Sequence, residues 1–196
     1  MRTAIILLLM LIPLTAAAQV ESLDGLAEKS VEMLSVDGKS YSIDSVAGEK
    51  GTLLIFTCNH CPYVKAWEAR TVELAHAALQ QGVGVLAINA NDPARVPEDG
   101  LEEMKRRAAE LGLKYPYVVD EKGKVAQAFG ATKTPEFFLF DAKGKRVYHG
   151  ALDDNADDAK KVNKTYLADA LSALLAGKAP AVSSSKAFGC GIKFPK

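Results

Sequence analysis

Three observations predict an α/β fold with a central mixed β-sheet flanked by helices. Two unbroken apolar runs, Thr52–Thr57 and Val83–Asn89, read as buried strands on either side of a helical stretch. Strands and helices alternate early, and a hairpin plus a helix come late, the order of a layered α/β domain. Between the first apolar run and the helix stands Cys58-Asn59-His60-Cys61-Pro62. A pair of cysteines thus falls at the end of a parallel strand, where ligand sites of α/β sheets form.

The chain has 196 residues, and its first 18 read as a secretory signal peptide. Arg2 gives a positive start, Ile5 to Leu14 is apolar around Pro13, and Ala16-Ala17-Ala18 is a small-residue cleavage site before Gln19. The apolar stretch is short for a membrane span. The reading is therefore a periplasmic or secreted protein with no membrane span after signal removal. Residues 19–30 form an N-terminal lead, 31–177 one domain, and 178–196 an irregular tail.

Within the domain, Val31 to Ile43 reads as a small hairpin across Asp37-Gly38, a strong turn signal. A helix is expected from Pro62 to Leu79, with Val64, Trp67, Thr71, Leu74, Ala75 and Ala78 on one face and Gly82 beyond its end. After the Val83–Asn89 strand, Asn91 to Gly100 is a polar loop. Leu101, Met104, Ala108 and Leu111 then recur at helical spacing up to Gly112. Tyr115 to Val119 is a short strand, and Val125 to Phe129 a short helix ending at Gly130. Glu136–Phe140 and Arg146–His149 form a hairpin, and Tyr166, Leu167, Ala170, Leu171, Leu174 and Leu175 a last amphipathic helix.

Composition excludes several functions. After the leader the chain carries one net negative charge, so nothing points to nucleic acid or to an anionic membrane. Three cysteines are too few for a disulfide-stapled scaffold. No cofactor is called for.

Two cysteines in a Cys-x-x-Cys spacing before a helix form a redox dithiol. The helix start offers unpaired N–H groups and the positive end of a dipole, which favour a thiolate, the form that attacks disulfides. Cys58 is expected to attack and Cys61 to resolve, with His60 adding positive charge that lowers the Cys58 pKa. A purely structural bridge across so short a loop would stabilise little. A copper- or zinc-binding role, with His60 or Cys190 as added ligands, falls short of the four ligands of a closed site. That leaves a copper-binding or metallochaperone module as an alternative to the oxidoreductase.

These features resemble the thioredoxin fold, in its secreted redoxin branch: the TlpA-type thiol–disulfide oxidoreductases and their AhpC/TSA relatives. The resemblance rests on Ile55-Phe56-Thr57 running into Cys58-Asn59-His60-Cys61-Pro62-Tyr63 and on Asp37-Gly38-Lys39 with Gly48-Glu49-Lys50-Gly51 upstream. It rests also on Tyr117-Val118-Val119-Asp120 with Ala126 to Gly130, and on Thr134-Pro135-Glu136 leading into Phe137–Asp141. It implies a cis peptide at Thr134-Pro135 lying against the dithiol, with residue 134 offering its backbone to an extended substrate. It implies protein or small thiol and disulfide substrates and a redox partner. A thiol peroxidase is a further alternative, but its Pro-x-x-x-Thr-x-x-Cys pattern is not matched at either cysteine.

The remaining residues read more plainly. Trp67 and Tyr63 are packing groups, Lys65 is solvated, and His76 and His149 are structural. The acidic run Asp153-Asp154-Asn155-Ala156-Asp157-Asp158 lacks the glycine and terminal glutamate of a calcium loop and reads as a solvated helix-start region. Cys190, in Phe188-Gly189-Cys190-Gly191-Ile192, is the candidate third redox thiol. About 14 residues separate it from the last helix, and an extended chain spans roughly 3.3 Å per residue, so it can reach the Cys-x-x-Cys loop. A disulfide with Cys58 is the expected product; packing as an apolar anchor is the other reading.

Overall fold

The computed structural model describes residues 19–196; the signal peptide read at 1–18 lies outside the described residues. Among the described residues no helix is long and apolar enough to cross a membrane. A seven-stranded mixed sheet forms the centre. The first hairpin joins β1 (Met33–Ser35) to β2 (Ser40–Tyr41), antiparallel. The buried runs form β3 (Gly51–Phe56) and β4 (Val83–Asn89), linked by the crossover helix α1 (Pro62–Gln80). Helix α2 (Leu101–Leu111), β5 (Tyr117–Val119) and α3 (Lys124–Phe129) follow. Then come β6 (Lys133–Thr134), β7 (Glu136–Asp141), β8 (Arg146–Gly150), α4 (Tyr166–Leu175) and β9 (Cys190–Gly191).

β4 runs parallel to β5, Ile88 opposite Val118, and β5 pairs with β1. On the other side β3 pairs antiparallel with β7, Leu54 opposite Phe138, and β7 with β8. The Thr57 amide just past β3 donates to the Ile88 carbonyl at 2.9 Å, tying the two halves together. The strand expected from Tyr115 begins at Tyr117, because Pro116 has no N–H to give to a ladder.

The period-two alternation of the central strands sorts the core into two layers. Leu53, Ile55, Val85, Ala87, Phe137 and Leu139 face α1, α2 and α4. Leu54, Phe56, Leu86, Ile88, Phe138 and Phe140 face α3 and the N-terminal lead. The lead is fastened to the β7–β8 hairpin: Leu23 is buried, its amide meets the Gly144 carbonyl at 2.8 Å, and the Arg146 amide meets the Glu21 carbonyl at 2.9 Å.

Helix α1 starts with Pro62 at its first position, where the missing N–H costs nothing, and Cys61 precedes it as the N-cap. α2 stops at Gly112, whose left-handed backbone (φ 58°) closes the helix without a Cβ penalty.

The acidic run departs from its sequence reading. Asp153 is buried, accepting the Trp67 indole N–H at 2.7 Å and pairing with the Arg70 guanidinium. Arg70 also donates to the carbonyls of Asn155 and Ala156. Asp154 accepts the Asn163 and Lys164 amides. The run is thus a loop strapped to α1 by its first acid, because a buried indole N–H and a half-buried guanidinium both need an acceptor.

Replacing Asp153 by Ala strands that indole N–H and the guanidinium together. We expect the Asp153→Ala protein to lose about 3 kcal/mol of stability, read as a lowered denaturant midpoint at unchanged slope.

Candidate active site

The Cys-x-x-Cys loop links the end of β3 to the start of α1 and faces Thr134 on β6. Both sulfurs are inside the protein: Cys58 is 2% exposed and Cys61 0%. Both are free thiols. Cys58 Sγ lies 3.3 Å from the Thr134 hydroxyl, and Cys61 Sγ donates to the Thr134 carbonyl at 3.0 Å. The Thr134–Pro135 peptide is cis, as the resemblance implied. Thr134 therefore meets both cysteines, one through its hydroxyl and one through its backbone.

The interior of the loop is held by a residue that the sequence reading passed over. Asp99, buried at the end of the polar loop before α2, accepts the Asn59 amide at 2.6 Å and the His60 amide at 3.3 Å on one oxygen. Its other oxygen pairs with His60 Nδ1 at 2.6 Å and accepts from Asn91 Nδ2 at 2.7 Å. The Asn59 side chain donates to the Glu98 carbonyl and accepts the Tyr117 hydroxyl. Nothing in the spacing of one acid in a polar loop announces this role; only the fold brings it to Cys58.

That acid changes the expected electrostatics. Cys58 is pushed up by its hydrogen bond to Cys61, by burial and by the Asp99 carboxylate. Cys61 is lowered to about 4, chiefly by the hydrogen bond from Cys58, and its position as N-cap puts it at the positive end of the α1 dipole. These directions disfavour a negative charge on Cys58, where the sequence reading expects it, and favour one on Cys61. His60, expected to supply positive charge to Cys58, has its Nδ1 on Asp99 and holds the loop in shape.

Cys58, His60 and Asp99 place three ligating atoms within 4.8 Å of one another. This is one donor short of a closed tetrahedral set. The carboxylate is already spent on two amides, an imidazole and a carboxamide, so a cation there would have to displace that network.

The tail reaches the site and is tied down along its length. β9 pairs antiparallel with β6, Cys190 opposite Thr134 and Gly191 opposite Lys133. The Ile192 amide donates to the Thr132 carbonyl at 3.0 Å, the Lys193 amide to Asn91 Oδ1 at 2.6 Å, and Arg95 to the Phe194 carbonyl at 2.7 Å. Upstream, the Ser185 amide donates to the His149 carbonyl at 2.9 Å. Gly189 lies so close to β6 that a Cβ there would collide with the Thr134 carbonyl, and its φ of 151° is one that L side chains rarely adopt. Cys190 is half-buried. Its side chain and backbone lie near enough to Cys61 to lower that thiol's pKa; the sequence reading expects Cys58 as its partner. Burial, then the Cys61 contact, push its own pKa up to about 11.

Glu136, also passed over, supports β6 from behind. It is buried, one oxygen accepts the Thr132 and Lys133 amides at 2.8 and 2.9 Å, and the other meets His149 Nε2 at 2.6 Å. His149 is thus structural, as read, and so is His76, which packs edge-on to Tyr115. Trp67 is buried and Tyr63 stacks over it, partly exposed.

A mostly apolar pocket opens beside Cys58 between α1 and α2. Ile55, Val64, Leu111, Tyr115, Tyr117 and Pro135 line it, and the Glu68–Arg107 ion pair borders it. Of the three cysteines only Cys58 lines it. Cys58, Cys61, His60, Thr134, Pro135 and Cys190, all singled out from the sequence, form one cluster.

The redoxin family model matches residues 22–166. The chain is similar to the thiol-disulfide oxidoreductase ResA of Halalkalibacterium halodurans, at 27% identity over 60% of this chain and 63% of that protein. It thus spans less than two thirds of that relative's length. Among solved structures, an uncharacterized conserved protein from Geobacillus kaustophilus superposes with a TM-score of 0.79 at 38% identity, over 84% of this chain and 88% of the other. A thioredoxin-like protein in its oxidized form superposes with a TM-score of 0.61 at 19% identity, over 81% of this chain and 97% of the other; it shares the fold.

Two outcomes follow for the reduced protein. Its ultraviolet thiolate absorbance should rise as the pH climbs through about 4, giving one thiolate per chain at neutral pH. A Cys61→Ser variant should lose that transition; its survival there would return the charge to Cys58. Separately, Gly189→Val should lift the tail off β6, so that iodoacetamide labels Cys58 and Cys61 several-fold faster than in the parent protein. Unchanged labelling would mean that the tail does not govern access.

Proposed function

The chain belongs to the redoxin family, and from that premise we propose that it is a thiol–disulfide oxidoreductase working through Cys58 and Cys61 on protein or small thiol substrates. The observation that carries this reading is a pair of buried free thiols at a helix start, both set against Thr134. The signal-peptide pattern of residues 1–18 supports a periplasmic or secreted location, an oxidising setting in which such chemistry has substrates.

In the reducing direction the substrate disulfide approaches from the pocket beside Cys58. Cys58 Sγ attacks one substrate sulfur and gives its proton to the neighbouring Cys61 thiolate. The other substrate sulfur leaves with the electron pair of the broken bond. It then takes the proton back from Cys61, whose thiolate attacks Cys58 Sγ and expels the second substrate thiol, which is protonated from solvent. One substrate disulfide becomes two thiols as Cys58–Cys61 becomes a disulfide, and the reverse sequence oxidises a dithiol. Cys58 is the entry sulfur because it alone of the pair borders the pocket; Cys61 is its proton acceptor and then the resolving thiol. Thr134 and Pro135 border the substrate path, while His60 and Asp99 position the loop.

The test is equilibration of the purified protein in glutathione buffers, followed by peptide mapping. An intrachain Cys58–Cys61 disulfide should form reversibly. Cys58→Ser and Cys61→Ser should each abolish catalysed reduction of a disulfide-bonded protein such as insulin. Undiminished turnover in both variants would overturn the reading.

A further inference from the structure

We propose that Cys190 is a third redox thiol that exchanges with the active pair through Cys61, carrying the disulfide from the buried site toward the surface. The inference rests on the dithiol reading above and adds a sulfur to it. Its basis is the convergence of two sulfurs on one residue. Cys61 Sγ points at the Thr134 carbonyl at 3.0 Å, and Cys190 stands opposite Thr134 in the β6–β9 pair. The side chain and backbone of Cys190 both lie near enough to Cys61 to lower its pKa, whereas Cys58 Sγ turns to the Thr134 hydroxyl.

The tail is held in this place by several independent contacts. Gly189 fits against the Thr134 carbonyl where no side chain could. Ile192 and Phe194 pack on the core layer containing Val125, Ala126 and Phe129, and the Lys193 amide is bonded to Asn91. Cys190 is also the most exposed of the three sulfur residues: it is half-buried, the other two buried. Lys133 and Lys193 both favour negative charge on it. A partner dithiol protein can meet Cys190 without entering the site.

The exchange balances without an added oxidant. Starting from a Cys58–Cys61 disulfide, Cys190 Sγ gives its proton to solvent and attacks Cys61 Sγ. The Cys61–Cys190 bond forms, the Cys58–Cys61 bond breaks, and its electron pair leaves with Cys58 Sγ, which takes a proton from solvent. One disulfide and one thiol are present before and after. An external dithiol then reduces the Cys61–Cys190 bridge: its first thiolate attacks Cys190 Sγ and expels Cys61, and its second thiol resolves the mixed disulfide. The chain is left with three thiols and the partner with one disulfide.

The experiment is oxidation of full-length Cys58→Ser and Cys61→Ser proteins by oxidised glutathione, with disulfides mapped by mass spectrometry. Cys58→Ser should give an intrachain Cys61–Cys190 disulfide, and Cys61→Ser should give no Cys58–Cys190 bridge. In the wild-type chain, a fraction with Cys61–Cys190 joined and Cys58 free should accompany Cys58–Cys61. Cys190→Ser should lose that fraction and slow reduction of the Cys58–Cys61 disulfide by an external dithiol several-fold. A folded Cys58→Ser protein with Cys190 free or joined to another chain, or a Cys58–Cys190 bridge in the Cys61→Ser protein, overturns the proposal. Should Cys58→Ser not keep the far-ultraviolet circular dichroism of the parent, Cys58→Ala and the wild-type map decide. Failure of the wild-type chain to form Cys58–Cys61 at all would instead strike the parent reading.

Discussion

Thr134 is the residue on which this molecule's chemistry turns. Its hydroxyl stands against Cys58, its carbonyl takes Cys61, and its place in β6 sets Cys190 opposite. One short strand of two residues thus gathers three sulfurs that lie in two separate parts of the chain. So short a strand cannot hold itself. Glu136 grips the two amides before Thr134, His149 pairs with Glu136, and β9 closes the other edge. The support is built of buried hydrogen bonds with charged partners, the kind that fix geometry most strongly.

Asp99 plays the matching part on the opposite side of the dithiol. By accepting the Asn59 and His60 amides and the His60 ring, it fixes the turn between the two cysteines. The same charge, buried beside Cys58, resists a thiolate there. The helix start and the Cys58 hydrogen bond favour one at Cys61 instead. Positioning and electrostatics therefore come from one residue, which disfavours charge on the sulfur that lines the pocket.

The tail alters how the site is to be thought of. A thioredoxin-like site is commonly reached by substrate from solvent; here the chain's own residues occupy the free edge of β6. Backbone hydrogen bonds join both the lead and the tail to the β7–β8 hairpin. Access is then a matter of local opening of the β6–β9 pair, which can cost far less than global unfolding, or of entry beside Cys58 from the pocket between α1 and α2.

Much of this was legible in the sequence, for reasons that are local. The buried strands β3 and β4 announce themselves by unbroken apolar runs, α1 and α4 by their period, and the dithiol by its spacing before Pro62. The Thr134-Pro135 pair was identified through resemblance, and the structure sets it against both cysteines. Asp99, Glu136 and Asp153 were not legible, because a buried acid differs from a solvated one only in what the fold packs around it, and each finds its partners across a turn or in another element. The tail showed the same limit: its glycines and lone cysteine gave reach but no address. By itself the sequence determined the layered fold and singled out the two cysteines proposed to react, since both follow from short-range pattern. Only the tertiary structure set Asp99 beside Cys58 and Cys190 opposite Thr134, since both depend on distances between segments that local pattern does not encode.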